Sequence, residues 1–83
     1  MITLTASEVD NLLTKLCIDF GFCLPPNAVL RFRNSPPTDI DSFTDAVFIA
    51  EGLDPRLESK KLYAQVRAMV RDEFARASKE TRE

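Results

Sequence analysis

Every glycine and every proline of this chain falls in one of three short clusters, and that punctuation limits the fold more than any other feature. The clusters are Gly21 with Pro25-Pro26, then Pro36-Pro37, then Gly52 with Pro55. Proline is excluded from helix interiors, and glycine favours the left-handed backbone that ends a helix. The chain is thereby cut into four segments, each of which can be read for its own hydrophobic period.

In the first segment, Thr5-Ala6-Ser7-Glu8 is a capping box: the Thr5 hydroxyl takes the Glu8 amide while the Glu8 carboxylate reaches back. Leu4 and Val9 match the hydrophobic staple that accompanies such a start. Val9, Leu12, Leu13, Leu16, Cys17 and Phe20 then recur at helical spacing. The spacing predicts a helix over 6–20, closed by Gly21.

Phe22-Cys23-Leu24 is expected to be extended, because the residue before a proline avoids helical backbone. A proline pair opens a helix well, since the first turn needs no amide donors. This predicts a helix over 26–33, with Val29, Leu30 and Phe32 turned inward. A strand competes, because Leu30 and Phe32 alternate with Arg31 and Arg33, but its one available partner is Ile2-Thr3-Leu4. The helix is the preferred reading.

After the turn at Asn34 to Pro37, Thr38 or Asp39 caps a third helix over 39–51, with Asp39 and Asp41 in the first turn. Ile40, Phe43, Val47 and Ala50 make its stripe, widened by Ala46, Phe48 and Ile49. So broad an apolar surface marks the central, most buried helix. Leu53 supplies the hydrophobic contact after Gly52. Asp54-Pro55 reads as cap and first position of a fourth helix over 55–77, bent near Glu58 and Ser59. Leu62, Val66, Met69, Val70, Phe74 and Ala77 form its apolar face.

The expected fold is all-α: a compact bundle of four helices, 6–20, 26–33, 39–51 and 55–77, joined by Pro/Gly turns, with the third and fourth packed against the first. Residues 1–77 make a single helical domain and 78–83 a frayed polar tail, because 83 residues leave no room for a second core. Residues 39–54 hold five acids and no base, whereas 55–83 hold eight bases and five acids. The third and fourth helices should therefore lie side by side, although exposed pairs contribute only about 0–1 kcal/mol each.

Composition narrows the chemistry. The chain has no His, which removes the usual triads, the HExxH zinc helix and most mixed metal sites. Two glycines cannot build a dinucleotide or phosphate loop. Asp41 and Asp45 are helix neighbours, but nothing beside them supplies burial, a nucleophile or an oxyanion hole. Asp39 to Asp45 starts like a calcium loop and then fails, with Phe43 and Thr44 at the places that need an oxygen ligand and a glycine. No enzyme, cofactor or metal is expected.

Three surfaces remain as candidates. Phe22, Leu24 and Tyr63 could stay partly exposed and dock a partner or a second copy, the alternative being core packing. Arg31, Arg33, Lys60, Arg67 and Arg71 are the basic residues available to nucleic acid. A net charge of −2 and a third helix without a base disfavour that partner, and a solvated helix face explains the same stripe. Cys17 and Cys23 could form a thiol or metal site. The competing reading is a buried structural thiol, because Cys17 lies in the apolar stripe.

Two cysteines are too few for a disulfide-stapled secreted domain, and 1–20 has neither the basic start nor the apolar run of a signal peptide. No segment approaches the roughly 18 apolar residues of a membrane span. The reading that follows is a small cytoplasmic, non-enzymatic interaction or regulatory module. Nucleic-acid binding and thiol or metal chemistry are its rivals.

Overall fold

Thr5 sets the first helix as its sequence requires. Its Oγ1 accepts the Glu8 amide at 3.2 Å, and its own amide donates to Glu8 Oε1 at 2.8 Å. The helix α1 (Ala6–Phe20) buries Val9, Leu12, Leu13 and Leu16 on one face, with Leu4 sealed beneath its start. The structure, a computed structural model, describes residues 4–81, with side chains as far as Ala77.

The second segment is a helix, α2 (Pro26–Asn34), and no strand occurs among the described residues. The candidate partner strand at Ile2-Thr3-Leu4 lies outside those residues apart from Leu4. Ala28 and Phe32 face inward, whereas Leu30 is 53% exposed, correcting the expectation that it packs. The reason is angular: at about 100° per residue, Leu30 is two steps from both Ala28 and Phe32 and points the opposite way.

Helix α3 (Ile40–Ala50) starts at Asp39, whose carboxylate accepts the Ser42 amide at 3.0 Å and falls below its ordinary pKa chiefly through that bond. Phe43, Thr44, Val47 and Phe48 are buried. Thr44 is a polar residue in the core; its hydroxyl is satisfied by donating to the Ile40 carbonyl at 2.8 Å. Ile49, expected to widen the buried stripe, is instead 63% exposed.

Asp54-Pro55 does not open the fourth helix. It makes a single turn, with the Leu57 and Glu58 amides donating to the Asp54 carbonyl, and Leu57 is left 81% exposed. A turn that buries nothing has no tertiary reason to propagate. The chain restarts at Ser59, whose carbonyl accepts from Tyr63 N at 3.0 Å and whose hydroxyl accepts from Leu62 N at 3.4 Å. Helix α4 (Lys60–Thr81) therefore begins five residues later than the sequence suggested. The polar end, 78–83, is helical backbone as far as Thr81; residues 82–83 lie outside the description.

The extensive helix packings are α3 on α4, α4 on α1 and α2 on α1. α4 is thus the element shared by α1 and α3, and the expected packing of α3 on α1 is not among the extensive ones. The oppositely charged third and fourth helices do lie side by side. One cluster joins Leu12, Leu16, Phe43, Phe48, Val66 and Val70, all fully buried.

Candidate functional site

Ring packing decides which aromatic side chains are left over for a partner. Phe22 stacks edge-on to Phe48 at 5.3 Å, Phe48 meets Tyr63 at 5.4 Å, and Phe32 meets Phe43 at 5.0 Å. Phe20 lies against Phe22, and Phe43 against Phe74, so each of the six Phe has an aromatic neighbour. Phe22 is buried, while Leu24 and Tyr63 are partly buried against the same cluster. Of the candidate docking trio, Phe22 is taken up in core packing, while Leu24 and Tyr63 each keep a partly exposed face.

Among the described residues, the large apolar side chains that remain exposed are Ile18, Leu30, Ile49 and Leu57. Ile49 borders an open groove of about 430 Å³ between α2 and α3. Pro25, Ala28, Arg31 and Phe32 form one wall, and Ala46, Ile49 and Ala50 the other, with Pro37 at one end. Arg31 is the one charged residue of the lining. It is exposed and makes no ion pair among the described residues. Arg31 and Ile49 line the same groove although the sequence placed one in a basic set and the other in a core stripe.

Of the other basic candidates, Lys60, Arg67 and Arg71 recur at helical spacing along one side of α4, and Arg33 stands on α2. Arg33 pairs with Asp10 of α1 at 3.4 Å, Arg71 with its neighbour Asp72 at 3.8 Å, and Lys60 is exposed at the start of α4. Arg67 donates to Asp41 of α3 at 2.6 Å, and that hydrogen bond raises the guanidinium pKa above its ordinary value.

One turn away, the Tyr63 hydroxyl donates to Asp45 at 2.6 Å. Burial, then the Asp45 hydrogen bond and charge, push the Tyr63 phenol up to about 12. Asp41 and Asp45 are therefore committed to holding α3 on α4.

Glu73 is a buried acid that sequence reasoning missed. It is 4% exposed and is paired with Lys15 of α1 at 3.6 Å and with Arg76. The signal was present: Glu73 stands three residues after Val70 and seven after Val66, on the apolar stripe itself.

The cysteines also depart from the sequence reading. Cys17 is not a buried free thiol; it is bonded to Cys23, with Cα atoms 4.4 Å apart, and no free cysteine remains. Left-handed Gly21 turns the chain back through the Gly21 N–H to Cys17 O bond, which returns Cys23 to the end of α1. Among the described residues, no group of three His, Cys, Asp or Glu side chains could hold a metal ion. No helix there is long and apolar enough to cross a membrane.

No family model, curated protein or solved structure matches this chain.

Proposed function

We propose that this chain is a small, non-enzymatic interaction module that receives an amphipathic helix of a partner protein in the α2–α3 groove. One observation carries the reading: among the described residues, Arg31 has no ion pair and is the sole charge of an open, mostly apolar groove that also holds Asn27 and Ser35 and is edged by exposed Ile49. Helices are recognised in such grooves through apolar anchors one turn apart. An acid flanking those anchors would meet Arg31, setting orientation and encounter rate more than affinity.

Two further facts support a protein as the partner. The chain has no His, the commonest general base, which weakens an enzymatic alternative. Arg33, Arg67 and Arg71 are engaged with acids of their own chain, which leaves less for a phosphate backbone. The cytoplasmic location forms part of the proposal, and the cysteines make it checkable. Cytosolic disulfides are transient and redox-sensing where they occur, so finding Cys17–Cys23 oxidised in every molecule after acid quenching and alkylation of intact cells would move the protein to an oxidising compartment.

The binding test is capture from lysate of the source cells, with nuclease present, using the tagged chain and three variants. A stoichiometric protein should be held by the parent and by Leu57→Asp, lost by Ile49→Asp, and weakened by Arg31→Glu. Capture that survives Ile49→Asp would overturn the groove. Capture abolished by nuclease would turn the reading to nucleic acid, and capture of a second copy alone would make the module self-associating.

A further inference from the structure

The link between α1 and α2 carries a feature independent of the groove. Cys23 is exposed and Cys17, in the last turn of α1, is half-buried. A cleft of about 490 Å³ runs beside their bond, lined by Leu13, Ile18, Leu24 and Val29, with Ile18 77% exposed. Among the described residues, no base lines the cleft. Its one charged residue, Asp10, is paired with Arg33, and the last turn of α1 has no base either.

We propose that Cys17–Cys23 is a thiol–disulfide exchange site, read by a dithiol reductant, and that reduction frees the start of α2. The reductant's thiolate attacks the sulfur of Cys23, the more exposed residue of the pair. A mixed disulfide forms there, the Cys17–Cys23 bond breaks, and the Cys17 sulfur leaves with the electron pair and takes a proton from water. The reductant's second thiolate then attacks its own sulfur in the mixed disulfide. This releases Cys23, which is protonated in turn. Two electrons pass to the protein, which ends with two thiols, and the reductant ends as a disulfide.

The cleft lacks the positive charge that activates a thiolate for attack on other disulfides, so the pair is a substrate of exchange rather than its catalyst.

The effect on α2 follows from how little else holds its first turn. Pro25 caps α2 with no side-chain hydrogen bond, Ala28 and Phe32 are its buried residues, and Leu24 and Val29 pack only partly against the core. Phe22 packs edge-on against Phe48, a contact that does not run through the disulfide. The segment released is therefore 23–30, which includes the Pro25 and Ala28 wall of the groove. That consequence for binding rests on the docking reading above; the exchange does not.

The test uses the full chain, oxidised or treated with dithiothreitol, with thiols counted by alkylation and amide exchange followed by mass spectrometry. Reduction should accelerate exchange in 23–30 roughly tenfold more than in 62–74, the signature of local opening. Equal acceleration along the chain, or none, would overturn the clasp. Glutathione alone should add to Cys23 on peptide mapping, and addition to Cys17 would overturn the order of attack. The double variant Cys17→Ser/Cys23→Ser should match the reduced chain with or without dithiothreitol. A dithiothreitol response persisting in it would sink the proposal. Partner capture unchanged by reduction would break the link to the groove, whereas capture surviving Ile49→Asp would break the docking reading alone.

Discussion

Gly21 and Gly52 end their helices in the same left-handed backbone, at φ 75° and 77°, and each is followed by an apolar residue packed on the core and by a proline. From that shared start the two joints diverge. Pro25-Pro26 leads directly into α2, and the joint is closed covalently by Cys17–Cys23. Asp54-Pro55 spends one turn on the surface before Ser59 restarts the chain. That joint is closed by a hydrogen bond, Tyr63 to Asp45, over the Phe48–Tyr63 ring contact. Local punctuation sets where a helix ends. What holds the next helix in place is decided by the side chains the turn brings together.

The largest break in this comparison should come at the apolar residue after each glycine. Phe22 is buried and Leu53 partly so. Phe22→Ala should cost about 3–5 kcal/mol in urea unfolding, and Leu53→Ala clearly less. A domain with total stability near 5 kcal/mol will barely fold with that loss, so Phe22→Leu gives a milder rung of the same ladder. Equal costs at Phe22 and Leu53 would make the joints equivalent.

Removing the covalent closure comes next. The bond spans a sequence separation of 6, and chain-entropy reasoning assigns about 2 kcal/mol to so short a loop. Cys17→Ser/Cys23→Ser should lower the urea midpoint accordingly, and reducing the parent should reproduce the shift. The second joint should be indifferent to reductant.

The glycines test the part the joints share. A Cβ at either position meets nothing within 4 Å, so Gly21→Ala and Gly52→Ala lose only the left-handed backbone preference. Each should cost about 1 kcal/mol, and by the same amount.

Tyr63→Phe should have the smallest effect near neutral pH, about 1 kcal/mol for the hydrogen bond to Asp45. Its pH dependence sharpens the contrast. The folded phenol sits at about 12, above its ordinary 10.0, so the unfolded chain ionises first as pH rises. The stability Tyr63 contributes is complete below about pH 10 and is lost as pH climbs through 12. The gap between parent and Tyr63→Phe should narrow over that window, with phenolate absorbance appearing near its upper end. A gap independent of pH would mean that the hydroxyl is free in solution.

Much of the architecture was legible without coordinates. The capping box at Thr5, the stripe from Val9 to Leu16 and the Asp39 cap are local signals, satisfied within one turn of the chain. The errors share a cause. Ile49 and Leu30 are apolar but fall outside the faces that meet other helices, and the turn at Asp54-Pro55 has helix-opening residues without a surface to bury.

Helix identity and helix ends were thus determined by the sequence itself, because caps, prolines and glycines act over three or four residues. The packing of α4 on α1 and α3 was expected from apolar faces and opposite charges; tertiary structure alone decided that α3 does not pack extensively on α1, that Glu73 meets Lys15 of α1, and that Arg31 and Ile49 line one groove. It also decided that Cys23 reaches Cys17, since Gly21 must first reverse the chain. Those pairings join residues on different elements or across a turn. Hydrophobic period specifies which face of each helix is buried, not which partner buries it.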